Sequence, residues 1–262
     1  MNINAFMSNE NEKPLDTLVS DGGFCSIFRT IACIGDSLSS GEFESVDEQG
    51  NNTYHDRFEY SWGQYIARMA GCTVYNFSRG GMTAREYCES FARNSGYWGA
   101  DKASQAYIIA LGVNDLFGHC VELGSADDIC MEDYRQNKPT FAGYYGQIVQ
   151  RLKAISPDAR FFFVTIPKVH EKGQAEHAVN QRKLLYDLTK RFAHSYVIDL
   201  YQYGPEYDEA FQQQFYLRGH LNPCGYVLTA KMMVSYIDYI IRHHMDDFRK
   251  VGFINTGIET GF

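Results

Sequence analysis

Five short apolar runs punctuate the chain, and the longer stretches between them carry helical spacing. The runs are 30–34, 73–77, 106–111, 160–166 and 196–200, each rich in Ile, Val, Phe or Tyr. The middle ones are apolar on successive residues, the pattern of strands covered on both faces. Between them, 60–70 places Trp62, Tyr65, Ile66 and Met69 on one helical face. In 141–155, Phe141, Tyr144, Tyr145, Ile148, Leu152 and Ile155 form a similar stripe. A further stretch covers about 175–193, and a last one, about 224–243, carries Val227, Ala230, Met233, Ile237 and Ile241. These stripes fit a 3.6-residue period. Strands alternating with helices predict an α/β fold with a doubly wound parallel sheet of about five strands and helices on both faces. In such a sheet, ligands gather at the carboxyl ends of the strands. The residues that matter most are therefore those directly after each run.

After the first run comes Gly35-Asp36-Ser37-Leu38. Gly35 permits a sharp turn, and Ser37 opens the next segment as either a helix cap or an exposed nucleophile. After the second run, Asn76 to Thr83 includes Gly80-Gly81, a tight turn or a pair of backbone N–H groups open to a ligand. After the third comes Gly112-Val113-Asn114-Asp115, where Asn114 is either a cap or an amide donor. Before the last helix comes Arg218-Gly219-His220-Leu221-Asn222-Pro223. His220 is a candidate base for a serine, and Pro223 suits the first helical position. Each signal alone has an ordinary structural explanation. Jointly they supply a nucleophile, oxyanion donors and a base, the inventory for acyl transfer.

This pattern resembles the SGNH hydrolases, also called the GDSL esterase/lipase family, over about residues 29–240. Gly35-Asp36-Ser37-Leu38 resembles the first family block, which makes Ser37 the nucleophile. Asn76 to Thr83 resembles the second; Gly81 best matches its oxyanion glycine, with Gly80 the one-residue alternative. Gly112 to Asp115 resembles the G-x-N-D block, with Asn114 as the oxyanion amide. His220 resembles the histidine of the final block, and Gly219-His220-Leu221-Asn222 with Gly225-Tyr226 fits its surroundings. The resemblance implies a three-layer α/β/α, flavodoxin-like fold of five parallel strands. It also implies hydrolysis of esters or thioesters with no cofactor and no metal.

One position departs from the family. Its final block usually reads D-x-x-H, and the Asp position here is Leu217. Leucine cannot accept the imidazole N–H, so either a backbone carbonyl in this loop orients His220 or an acid from elsewhere does. Glu206, Asp208 and Glu209 lie just upstream.

Composition narrows the partners. The formal net charge of the 262 residues is −8 and no Lys/Arg run breaks it, so nucleic-acid binding is not expected. No apolar run reaches membrane-spanning length, so no stable membrane insertion is expected. The first residues, MNINAFMSNENEKPLD, lack the basic and apolar regions of a signal peptide. Seven Cys at irregular spacings, with no C-x-x-C, suit reduced thiols. The expectation is a cytoplasmic protein acting on a small-molecule ester, secretion staying open if a leader was removed; its oligomeric state is unassigned. Residues 1–23 read as a polar lead-in, 24–243 as one hydrolase domain and 244–262 as a tail.

The stretch 42–58 is long and polar and follows the first strand, so it should flank the site. Its Tyr54, His55 and Arg57 offer contacts to a polar group. No long apolar lid is evident, which favours short acyl groups, such as acetyl, on a polar or carbohydrate carrier over long-chain lipid. The alternatives are a lipase or thioesterase of the same family and an impaired member that binds esters or sugars. A flavodoxin-like phosphate binder would need a glycine-rich loop that is lacking after the first strand. A metallohydrolase would need spacings that His119, His170, His177, His194, His243 and His244 do not show. Cys224 lies four residues past His220, but Ser37 already fills the nucleophile position.

Overall fold

The structure is a computed structural model that describes residues 7, 9, 11–169 and 171–259; His170 lies outside the described residues. In chain order the strands are β1 (Thr30–Gly35), β2 (Glu42–Val46), β3 (Asn52–Asp56), β4 (Thr73–Asn76), β5 (Ala106–Ala110), β6 (Arg160–Val164), β7 (Ser195–Ile198), β8 (Tyr216–Leu217) and β9 (His220–Leu221). The helices used below are α1 (Ser37–Ser40), α2 (Trp62–Ala70), α3 (Phe141–Ile155), α4 (Lys172–Arg191), α5 (Glu209–Phe215) and α6 (Pro223–His243).

Five strands form one parallel sheet in the order β4-β1-β5-β6-β7. Alternate strand residues serve opposite faces. Ile31, Cys33, Ala106, Ile108 and Phe162 join the core under α2 and α6. Ala32, Ile34, Tyr107, Ile109, Phe161 and Phe163 join the core under α3 and α4. The expected three-layer α/β/α sandwich is therefore what the chain forms. Each fully buried large apolar side chain here contributes roughly 1.5–3 kcal/mol, so neither face dispenses with its helices. The strands end slightly earlier than the apolar runs: Phe77, Leu111, Thr165 and Ile166 lie beyond the last paired residues. There the backbone leaves the ladder to form the site loops.

The stretch 42–58 is not an irregular loop. Most of it is the antiparallel hairpin β2–β3, with Glu44 opposite Tyr54 and Glu42 opposite Asp56. Asp47 closes its turn by accepting from the N–H groups of Gln49 and Asn51, and Gly50 takes φ +86°. The alternation Glu-Phe-Glu-Ser-Val is strand-like, but it buries the two acids. Charges on the inward face disguise the period-2 signal.

The described segments before β1 and after α6 pack on the body. The N–H of Val19 donates to Ser235 Oγ at 3.0 Å, and Arg242 joins Glu12 at 2.6 Å and Asp238 at 2.8 Å. Phe248 and Val251 are buried, and Gln105 Nε2 donates to the carbonyls of Gly252 and Ile254. The segment after α6 thus covers the amino ends of the strands, opposite the site. Among the described residues, no helix is long and apolar enough to cross a membrane.

Candidate active site

Ser37 lies two residues beyond the end of β1, on the first turn of α1. Asp36 is the N-cap: its Oδ1 accepts from the Leu38 N–H at 3.1 Å, and its carbonyl accepts from Ser39 and Ser40. Gly41 ends this one-turn helix in a left-handed conformation at φ +79°. The Ser37 N–H is one of the orphan donors that every helix start leaves. Burial pushes the Asp36 carboxyl up to about 7, with the neighbouring Asp115 adding to the rise. Asp115 in turn accepts from the Ala84 N–H at 2.9 Å while fully buried, and burial raises it to about 6.

The loop after β4 carries the glycine pair. Gly81 is exposed, adopts φ +69°, and a Cβ there would meet nothing within 4 Å. The Gly80 N–H leans on Asp56 Oδ2 at 3.4 Å, and a Cβ at Gly80 would overlap the Glu42 carboxylate. Of the two, Gly81 is the one with a donor to spare, since no hydrogen bond among the described residues uses its N–H. Asn114 follows β5, and its Nδ2 donates to the Met82 carbonyl at 3.1 Å. A primary amide has two N–H donors. One ties Asn114 to the glycine loop, and the second stays available.

His220 does not follow a strand of the main sheet. It arrives on the two-stranded ribbon β8–β9, whose turn is Arg218-Gly219, with Arg218 left-handed at φ +60°. Asn222 Oδ1 caps α6 by accepting from the Gly225 N–H at 2.9 Å, with Pro223 in the first turn. The His220 side chain is 15% exposed. Its Nε2 lies 3.0 Å from Glu42 Oε1 and its Nδ1 3.5 Å from Glu44 Oε2, so the imidazole sits between two carboxylates of β2. Among the described residues, His220 shares no hydrogen bond with Ser37; Glu42 holds the nitrogen that would face it. Burial raises the Glu42 carboxyl, and Asp56, Asp36 and Glu44 add to the rise while His220 opposes it.

The three acids upstream of His220 are occupied differently. Asp208 caps α5, accepting from the Phe211 N–H at 2.8 Å. Glu209 accepts from Gln213 at 3.3 Å, and Glu206 is exposed on the preceding segment. Leu217 is 53% exposed and stands opposite His220 in the ribbon. Glu42 and Glu44 were not singled out from the sequence. The signal was their spacing of two on a strand directly behind the Ser37 turn.

Beside Ser37 runs an open cleft of ≈ 740 Å³, lined among others by Leu38, Asn114, Phe117, Tyr207, Gln212 and Tyr216. It shares Leu38, Val113 and Tyr207 with an apolar recess of ≈ 60 Å³ reaching Trp62 and Met233. Tyr54 is 56% exposed and meets the His220 ring edge-on at 5.9 Å; His55 Nε2 lies 2.9 Å from Ser45 Oγ. Cys224 is exposed on the first turn of α6. Among the described residues, no group of three His, Cys, Asp or Glu is arranged to hold a metal ion.

The sequence profile of the GDSL-like lipase/acylhydrolase family matches residues 33–228. Among curated proteins none matches. Several solved structures share the fold. A protein from Lactobacillus plantarum is 16% identical with a TM-score of 0.59, the alignment covering 81% of this chain and 97% of that one. A family two carbohydrate esterase from Clostridium thermocellum is 15% identical with a TM-score of 0.55, covering 83% of this chain and 64% of that one. A family 3 carbohydrate esterase from the same organism is 14% identical with a TM-score of 0.53, covering 82% and 97%.

Proposed function

Because the chain belongs to the GDSL-like lipase/acylhydrolase family, we propose that it is a serine ester hydrolase working through an acyl-enzyme at Ser37. The observation that carries this reading is the meeting of Ser37, the Gly81 loop, Asn114 and the His220 ribbon at the carboxyl edge of one parallel sheet. Asn114 is bonded to the glycine loop, and His220 is held beside Gly80 through Glu42.

Ser37 Oγ attacks the acyl carbon while its proton passes to His220 Nε2, which leaves Glu42 for Ser37 at that step. The carbonyl electron pair moves onto oxygen, held by the N–H groups of Ser37 and Gly81 and the second N–H of Asn114. His220 returns the proton to the leaving alcohol as the ester bond breaks. Water then repeats the sequence and releases the acid. The Ser37→Ala variant should fold normally and lose p-nitrophenyl acetate hydrolysis by on the order of 10⁴-fold or more. Undiminished turnover would sink the assignment.

For the substrate, we read a short acyl group on a polar or carbohydrate carrier. The apolar recess is small, ≈ 60 Å³, which suits an acetyl methyl better than a long chain. The open cleft combines aromatic faces with carboxamide and carboxylate groups, which suits hydroxyl-rich carriers. A series of C2 to C12 p-nitrophenyl esters should show kcat/KM falling with chain length; a rise toward C12 would favour a lipase.

A catalytically impaired binder is the second reading, favoured by Leu217 and by Glu42 on Nε2. A fluorophosphonate probe separates the two, because covalent labelling at Ser37 requires an activated serine.

A further inference from the structure

We propose that Glu44, delivered from the β2–β3 hairpin, is the acid that orients His220, in place of an acid three residues before the histidine. The proposal rests on the hydrolase reading for its catalytic meaning.

A general base needs one imidazole nitrogen free to take the hydroxyl proton and the other held by an acceptor, which sets tautomer and ring orientation. Here Nδ1 is the nitrogen that lacks a holder. It is buried and has no hydrogen-bond partner within strict geometry, and Glu44 Oε2 is the carboxylate oxygen beside it at 3.5 Å. A slight tightening of the hairpin closes that gap.

Glu44 is built into this place. Its side chain is 8% exposed, and burying a carboxylate is costly unless it is paired. Its Oε2 already accepts the Gly219 N–H at 3.0 Å. Gly219 makes the approach feasible: a Cβ there would lie 2.8 Å from the same oxygen. The hairpin is braced on the histidine from several sides. Arg218 Nη1 donates to Asn52 Oδ1 at 3.3 Å, Tyr54 contacts the ring, and the Tyr226 hydroxyl donates to the Glu42 carbonyl at 2.7 Å.

The other acids nearby are excluded by position. Glu42 sits on Nε2, the nitrogen that must receive the Ser37 proton, so it cannot hold the ring during the same step. Asp56 is bonded to Ser40 Oγ and Asp208 caps α5. The titratable groups beside the ring are thus Glu42 and Glu44 from β2 and Tyr54 from β3. Glu44 is a positioning residue: it reaches the reacting atoms only through His220.

The test reads the ring directly. In ¹⁵N-labelled protein, two-bond proton–nitrogen spectra report the neutral tautomer of His220, assigned by its loss in His220→Asn. In Glu42→Gln, whose amide can donate to Nε2 in place of the carboxylate at 3.0 Å, the ring should carry its proton on Nδ1. Adding Glu44→Gln should shift it toward Nε2. Glu44→Gln alone should lower kcat by about 10²–10⁴-fold with little change in KM, and Glu44→Asp should restore much of the rate. A Glu42→Gln ring protonated on Nε2, or a tautomer unmoved when Glu44→Gln is added to it, overturns the proposal. These spectra require no turnover. Failure of the hydrolase reading shows separately, as Ser37→Ala matching wild type in ester hydrolysis.

Discussion

Among the described residues, two histidines lie against carboxylates at opposite ends of the sheet, and they are arranged in opposite ways. At the amino end, His194 Nδ1 lies 2.6 Å from Asp247 Oδ1. Asp247 also pairs with Arg160 at 3.5 Å and accepts the Tyr196 hydroxyl. Burial alone would raise Asp247, but the Tyr196 hydroxyl, Arg160 and His194 together hold it below the usual carboxylate range. At the carboxyl end, His220 lies between Glu42 and Glu44 with Asp36 and Asp56 nearby, and burial lifts Glu42. The first cluster is saturated with donors and cations; the second is short of them. A saturated pair fastens the tail to the strands. A pair starved of cations can exchange partners, as a base that takes and returns a proton must.

Paired substitutions test this contrast most sharply. Replacing His220 by Ala should lower kcat by about 10⁴-fold or more while leaving the melting temperature near wild type. Asp247→Ala should do the reverse. It strands a nearly buried Arg160 and should destabilise the fold on the order of 3 kcal/mol, with unchanged turnover per folded molecule. Denaturant titration alongside steady-state kinetics checks both; a catalytic loss in Asp247→Ala at full folding would erase the contrast.

Asn114→Ala removes one oxyanion donor and should cost about 10²–10³-fold in kcat. It also frees the Met82 carbonyl, so KM and stability should be measured together. A change confined to stability would reduce Asn114 to a loop tie.

Asp36 gives a pH signature. With a folded value of about 7, it keeps a proton that the unfolded chain releases near pH 4. Its protonated form therefore supports the fold fully below about pH 4, and that support is lost as pH rises to about 7. Asp36→Asn should lose this window: relative to wild type it gains stability from pH 4 to 7 and holds the gain above. Melting curves of the two proteins across pH 4–8 measure the difference; a constant offset would mean that Asp36 is not buried as described.

The smallest effect is expected at the glycine pair. Gly80→Ala collides with Glu42 and should push it off His220, whereas Gly81→Ala has room for its Cβ and bears only the backbone strain of φ +69°, roughly 1–2 kcal/mol. Crystal structures of both variants would show whether Glu42 moves in the first alone. Glu42 staying on Nε2 in Gly80→Ala would mean that the loop, not the carboxylate, yields.

Much of this was legible in the chain because it is local. Successive apolar residues such as Phe161-Phe162-Phe163 mark a strand covered on both faces, and the glycines and Ser37 mark where β1 and β4 turn. Those short-range signals put Ser37, Gly81 and Asn114 at strand ends along one edge of the sheet. The hairpin β2–β3 was missed because its inward positions carry Glu42 and Glu44, where a strand pattern demands apolar side chains. Asp208 and Glu209, near His220 in sequence, were plausible holders for its ring, yet one caps a helix and the other faces Gln213.

Periodicity and turn chemistry act within a few residues of each other, which is why the α/β/α layering and the strand-end residues are legible in the chain alone. Which acid stands beside His220 is set by long-range packing instead. Glu44 and Gly219 are 175 positions apart along the chain, and the hydrogen bond between them exists only once the hairpin and the β8–β9 ribbon have docked. A carboxylate's partner at that range is set by packing, and no local spacing encodes it.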